Sequence, residues 1–300
     1  MSMEDAVEQV ALAVRSGIEF FHRLVNPYIM RKEADARLYA AKRDMEIEQL
    51  KFENYDSTMR RMPDMLHEGC EIHKDLNMTW FLNFHDIVER ISDDDIQNIF
   101  AAIMAGELES PGRCSVRTMR IIADLSRDEA ELFKKASGCV IRLDNKWIIP
   151  KQDRADEHNP LSYEDHLLLE DCGLLQTSGI SSYYREFDGE YTQMNYQDHL
   201  LGVIAPREDR DRLLIMVKGI SKLTKAGEEL YDILMRYGMA VRNDDFFIHY
   251  AKHLAETEKD LSVQLFRSKR CDDGDVVANG PDMIDKNMDE IERLMKIPVM

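Results

Sequence analysis

The stretch WFLNFHDIVERISDDDIQNIFAAIMAGELESPGRCSVRTMRIIADLSRDEAELFKKASGCVI, Trp80 to Ile141, decides the fold. Apolar residues recur at helical spacing, and sharp stop-and-start signals divide the runs. Phe84, Ile87, Val88 and Ile91 form a first apolar face. Ser92 is placed to cap the next helix, with Asp93, Asp94 and Asp95 in its first turn at the positive end of the dipole. That helix presents Ile96, Ile99, Phe100, Ile103 and Met104, and Gly106 with Pro111-Gly112 stops it. Ser115 then caps a helix carrying Val116, Met119, Ile122 and Leu125. Ser126 and Glu129 form a capping box for a fourth helix, with Ala130, Phe133 and Ala136 inside. Every local cue agrees with its neighbours, as expected of a uniquely folding helical unit.

Toward the N-terminus, Val7, Val10, Val14, Ile18, Phe21, Leu24 and Tyr28 share one helical face that Pro27 should kink or end. A second, highly charged helix is expected from about Arg31 to Met62. Its thin apolar stripe (Leu38, Ala41, Met45, Leu50, Phe52) suits a hairpin or coiled-coil seam, against the plainer reading of a solvated arm. Pro63 should open a further helix through about Leu76.

Beyond Gly138 the period changes. Val140–Leu143 and Lys146–Ile149 flank Asp144-Asn145 as a hairpin, and Gln152–Asn159 is a polar loop. Ser162 begins a helix ending at Gly173, and strands follow at about 183–187, 191–194, 200–204 and 213–217, with a turn at Asp188-Gly189. Thr224 caps a helix through about Tyr237. Two more helices are expected at about 244–266 and 281–296, separated by the turn-rich CDDGDVVANGP. The fold class is therefore mainly α, a helical arm and helical core with a small β-containing, winged-helix-like segment in the second half, α+β in total. The parts are an arm over 1–62, a helical core over 63–140, an α+β segment over 141–240 and C-terminal helices over 241–300.

Composition narrows the functions. The 57 acidic residues exceed the 39 basic ones for a net charge of -18, and the excess is spread along the chain. Nucleic-acid backbones are bound chiefly by Lys and Arg, so a dedicated nucleic-acid binder is disfavoured. Five widely spaced cysteines without a CxxC indicate neither a disulfide framework nor a zinc ribbon. No window is long and apolar enough for a membrane span, and the start lacks the form of a signal peptide, so a cytoplasmic location is expected. No phosphate-binding glycine loop, dinucleotide fingerprint or nucleophile elbow occurs, and no cofactor is implied.

The central unit resembles an uncharacterised bacterial family, domain of unknown function 2806. The resemblance rests on Trp80, Phe81 and Phe84, ISDDDIQ at 91–97, AGELESPG at 105–112, Ser115, Arg117, Thr118 and LSRDEAELF at 125–133. The charged helix AKRDMEIEQLK before it fits as well. It implies a bacterial cytoplasmic protein and no assigned activity. Proteins of this kind look similar to components of toxin–antitoxin or phage-defence loci.

Three groups are candidate sites. The SPGRCS loop precedes a helix N-terminus that can hold an anion, and Arg113, Arg117 and Arg120, with Ser115, stand at i, i+4 and i+7 beside it. The purely structural reading pairs Arg117 with Glu107 or Glu109. His249 and His253 are spaced at i, i+4 for a transition metal, but Tyr250 stands where a zinc protease has its glutamate. His67, Cys70 and His73 share the same kind of spacing. Third, residues 160–236 have a winged-helix-like order, with YYREFDGEY as the wing. The would-be recognition helix SYEDHLLLEDCG carries four carboxylates and no Lys or Arg, which phosphates would repel. The expected function is a non-enzymatic regulatory or interaction subunit, of phage-defence or toxin–antitoxin type, that binds a protein partner and forms a homo-oligomer. A nucleic-acid-associated regulator and a metal-dependent hydrolase or nuclease are the alternatives.

Overall fold

A computed structural model describes residues 33–73, 76–143, 146–150, 160–177, 182–186, 191–197, 199–204, 214–257, 262–270 and 276–278. The expected apolar face at 7–28, the turns at 144–145 and 188–189, the loop at 152–159 and the helix at 281–296 lie outside the described residues.

The Trp80–Ile141 unit forms as its caps dictate. Helix α1 spans Glu33–Arg61, α2 Met78–Val88, α3 Asp94–Glu109, α4 Val116–Ala123 and α5 Arg127–Ser137. Ser115 caps α4 by accepting from Thr118 N, and Ser126 with Glu129 makes the complete capping box of α5. One start differs from expectation. Asp93, not Ser92, caps α3, its carboxylate accepting from Asp95 N and Ile96 N. A carboxylate adds charge–dipole attraction to the hydrogen bonds a hydroxyl would make.

Helix α3 is the hub, buried on nearly every side from Ile96 to Glu107. Trp80 stacks on Phe84 at 5.4 Å and Phe84 tilts against Phe100 at 5.9 Å, so α2 covers one side. The Trp80 indole N–H donates to Cys114 O at 2.7 Å, tying α2 to the loop before α4.

Two expected helices are corrected. The Pro63 helix is only a short 3-10 turn, Met62–Met65, after which residues 66–73 run irregularly along the end of α3. Few of these residues have apolar side chains to bury, and long-range bonds such as His73 N–H to Leu108 O (2.8 Å) take over. The helix expected at 244–266 ends at Thr257, and Ser262–Arg270 is a strand; residues 276–278 of the turn-rich segment form another. Six paired positions, from His199↔Arg267 to Ile204↔Ser262, fix that strand, a tertiary constraint no local period displays.

The second half is an antiparallel sheet with helices on it, so the protein is mainly α in an α+β arrangement. Its elements are β1 (Ile141–Leu143), β2 (Lys146–Pro150), α6 (Tyr163–Asp171), β3 (Leu175–Gln176), β4 (Ser182–Glu186), β5 (Tyr191–Tyr196), β6 (His199–Ile204), β7 (Leu214–Lys218), β8 (Ile220–Leu223), α7 (Lys225–Arg236), α8 (Asp244–Thr257), β9 (Ser262–Arg270) and β10 (Val276–Ala278). Strand order is β10-β9-β6-β5-β1-β2-β8-β3, with β4 and β7 as a separate ribbon. The β2-β8-β3 portion, with α6 between β2 and β3, is the winged-helix-like part. Its ribbon is built from β4 and β7 rather than from the YYREFDGEY stretch alone, because β5 leaves to pair with β1 and β6. The sheet is thus wider than the small segment expected.

One apolar cluster runs from Trp80 to Ala251 and crosses positions 140 and 240 without a break. Tyr196 stacks on Phe247 at 4.4 Å, and its hydroxyl donates to Gly138 O at 3.1 Å while accepting from Asn243 N, joining α5, β5 and the start of α8.

Helix α1 behaves differently. Its last third docks on the body, through Tyr55 and Met59 packed against the core and through polar contacts. Asn54 Nδ2 donates to Glu89 O, Ser57 Oγ to Gln97 Oε1 and Arg61 to Asp94 O and Asn98 Oδ1. Farther out, Ala41, Met45, Leu50 and Phe52 are all exposed.

Candidate functional site

The densest polar cluster lies where α3 ends, α4 begins and α7 crosses both. After Glu109 the chain turns at Ser110–Arg113, with Gly112 at φ +86°, a conformation that favours glycine. The amide of Gly112 donates to Glu107 Oε2 at 2.8 Å, so α3 carries the carboxylate that holds its own exit turn. Burial raises the pKa of Glu107, and the Gly112 amide offsets this only in part.

The N-terminus of α4 is already filled by an anion of the protein itself. Glu229 on α7 accepts from Ser115 N at 2.8 Å and from Thr118 Oγ1 at 2.5 Å through the same oxygen, and Lys225 Nζ stands 3.4 Å from its other oxygen. The charge–dipole attraction expected to draw a ligand here fastens α7 to α4.

The three arginines are not gathered on one face. The Pro111-Gly112 turn and the Ser115 cap keep Arg113 in the loop, outside α4, so helical spacing does not relate it to Arg117 and Arg120. Arg113 donates to Asp232 Oδ2 on α7 at 3.2 Å, and Arg236 Nε lies 3.9 Å from the same oxygen. Arg120 instead reaches α2, donating to Asn83 Oδ1 at 2.9 Å. Arg117 is exposed and makes no ion pair among the described residues; Glu107 and Glu109 are engaged elsewhere.

Glu109 belongs to a second cluster. It accepts from the His67 backbone N–H at 2.7 Å, from His67 Nδ1 at 2.9 Å and from the Tyr237 hydroxyl at 3.1 Å. Burial alone would raise its pKa, but these donors outweigh that and hold its carboxyl below the ordinary value. The neighbouring Cys70 thiol is pushed up by burial and by the Glu109 charge. Burial also pushes the Cys139 thiol up to about 12 and, with Glu129, the Cys172 thiol up to about 11. These shifts suppress the thiolate form a nucleophile needs.

His249 and His253 keep their i, i+4 spacing on α8. His249 is half-buried on α8 and His253 is exposed. His67, Cys70 and His73 lie on irregular chain rather than on one helix face, and His67 is committed to Glu109. Among the described residues no group of three or more His, Cys, Asp and Glu is arranged to hold a metal ion.

Sequence reasoning passed over Glu229, Asp232 and the His67–Glu109–Tyr237 group. For Glu229 a signal was present: it lies on the apolar stripe of α7, among Ala226, Leu230 and Ile233, where a carboxylate needs a reason.

The α6 helix, in the place of a winged-helix recognition helix, is capped by Ser162 with Asp165 and buries His166 and Leu169. Outward it shows Tyr163, Glu164, Leu168 and Asp171. No described helix is long and apolar enough to cross a membrane. No curated relative and no solved structure matches the chain. A family model does match, over residues 39–241, from the exposed arm through α7, and the chain therefore belongs to the family described as protein of unknown function, DUF2806.

Proposed function

We propose that this protein is a non-enzymatic regulatory or interaction subunit that acts by protein–protein contact and self-associates through its N-terminal arm. The observation carrying the reading is the outer part of α1. Met45 is 73% exposed and Phe52 68% exposed, and they sit two turns apart on one side of the helix. The next residue at that spacing, Met59, packs against the core, so the arm extends a core-facing line into solvent. Exposed apolar lines of this kind mark contact surfaces. The internal pairing of the SPGRCS charges supports the same reading, because it leaves those groups engaged in folding rather than chemistry. We place the subunit in the bacterial cytoplasm, in phage defence or toxin–antitoxin-type control. A toxin or nuclease gene beside its own would support that setting.

Light scattering tests self-association. The full chain is expected to show a mass that rises with concentration, and the double variant Met45→Glu, Phe52→Glu is expected to lose that rise while keeping its helical content. A second reading, a nucleic-acid-associated regulator, draws on the β2-β8-β3 order beside α6. The carboxylates on the outward face of α6 argue against it.

A further inference from the structure

Two arginines stand apart from the rest. Every other arginine with a described side chain pairs with a carboxylate, except Arg142, which lies over the Trp147 ring at 5.4 Å. Arg117 and Arg120, one turn apart on α4, are both exposed and pair with no carboxylate among the described residues. The Arg117 guanidinium makes no hydrogen bond there, and Arg120 donates only to the neutral Asn83 Oδ1, at 2.9 Å. Asp124, one turn beyond Arg120, reaches neither. In a chain with 57 acidic residues against 39 basic ones, two adjacent cations left without an anion are an exception.

Helix α2 adds exposed apolar area beside them. The Trp80 bond to Cys114 O and the Arg120 bond to Asn83 hold α2 and α4 together. Next to Asn83, Leu82 is 55% exposed, and Met78, one turn before it, 65%. Asp86 bounds this strip one turn after Leu82. An apolar strip edged by unpaired arginines suits an apolar segment that brings carboxylates.

The outer part of α1 is such a segment. Glu48 stands between the exposed Met45 and Phe52, its side chain 72% exposed although bridged to Lys51. Glu53 follows Phe52, is exposed, and bonds the neutral Gln49 Nε2 at 2.7 Å; among the described residues no cation answers it. This arm cannot reach the strip of its own chain. Helix α1 runs antiparallel to α2, with Tyr55 on His85 and Lys51 beside Glu89, so residues before Lys51 project past the far end of α2. From Lys51 out to Glu33 the helix extends about 27 Å away from Met78 and Leu82.

We propose that the outer part of α1 docks on the outward α2–α4 face of a second copy. Met45 and Phe52 lie against Met78 and Leu82, and Glu48 and Glu53 meet Arg117 and Arg120. This rests on the reading that the arm mediates self-association, and it names the surface on which the arm lands. Made reciprocally by two copies, the contact closes at a dimer.

Light scattering over a concentration series tests this on the full chain. Arg117→Glu with Arg120→Glu is expected to weaken self-association by at least about tenfold, and Leu82→Glu by a similar factor. Glu48→Arg with Glu53→Arg should weaken it as well, because like charges then face each other. Combining the two charge reversals should restore association to within about threefold of wild type. All five positions are exposed, so the variants are expected to keep the helical content of wild type by circular dichroism. A wild type that stays at 34.9 kDa removes the arm reading and this inference together. A wild type that associates, with an arginine variant that associates equally well, overturns the inference alone. A combined variant that fails to recover overturns it too.

Discussion

The α3–α4–α7 junction and the outward helices α1 and α6 treat charge in opposite ways. At the junction every carboxylate has a donor inside the protein: Glu107 takes Gly112 N–H, Glu109 takes His67 and Tyr237, and Glu229 takes Ser115 and Thr118. On α6 and the outer part of α1, carboxylates and large apolar side chains share a face that looks into solvent. The junction spends its polar groups on holding three helices together. The outer part of α1 pairs its charges along its own length, Arg43 with Asp44 and Lys51 with Glu48, and leaves Met45 and Phe52 exposed. A dense charge cluster is thus no guide to function here, and the informative surfaces are those where helix chemistry is left incomplete.

Substitution can break this contrast, and the largest effect is expected at the junction. Glu229→Ala strands Ser115 N–H and the Thr118 hydroxyl and removes the tie between α4 and α7. It should cost about 3 kcal/mol, read from urea denaturation. A loss as small as that of an exposed carboxylate would mean the junction is as dispensable as the α6 face.

Gly227→Ala comes next. In an exposed helix interior this change gains about 1 kcal/mol. Here an added Cβ would lie 2.2 Å from Leu174 O, where α7 crosses the chain leaving α6, and the overlap wins. A net loss of about 2 kcal/mol in the same assay is expected. Stabilisation would show that α7 and α6 are not packed as closely as described.

The pH dependence of Glu109 is smaller. Its folded carboxyl is held below the ordinary value, so its contribution is full above the unfolded pKa and is lost as pH falls through the folded one. Wild type should therefore lose part of its advantage over Glu109→Gln in acid. Parallel unfolding curves for the two proteins across the acid range would remove the His67–Glu109–Tyr237 group from the account.

Much of this architecture was legible in the chain. The caps Ser115, Ser126, Ser162 and Thr224 act as their spacing implies, because a cap is a local bond between near neighbours. What sequence could not supply was long-range. Strand β9 follows a helix without an obvious break and exists because β6 offers it an edge. The Arg113, Arg117, Arg120 face failed as a unit because Asp232 and Asn83, far apart in sequence, draw two of its members in different directions. The acidic character of α6 could be read directly.

Light scattering on three full-length proteins tests the interaction-subunit reading most directly: wild type, Met45→Glu/Phe52→Glu and Glu164→Lys/Asp171→Lys. Wild type and the α6 variant are expected to exceed the monomer mass of 34.9 kDa as concentration rises, and the arm variant to stay at that mass. Three monomers at every concentration, or an arm variant that associates like wild type, would contradict the account.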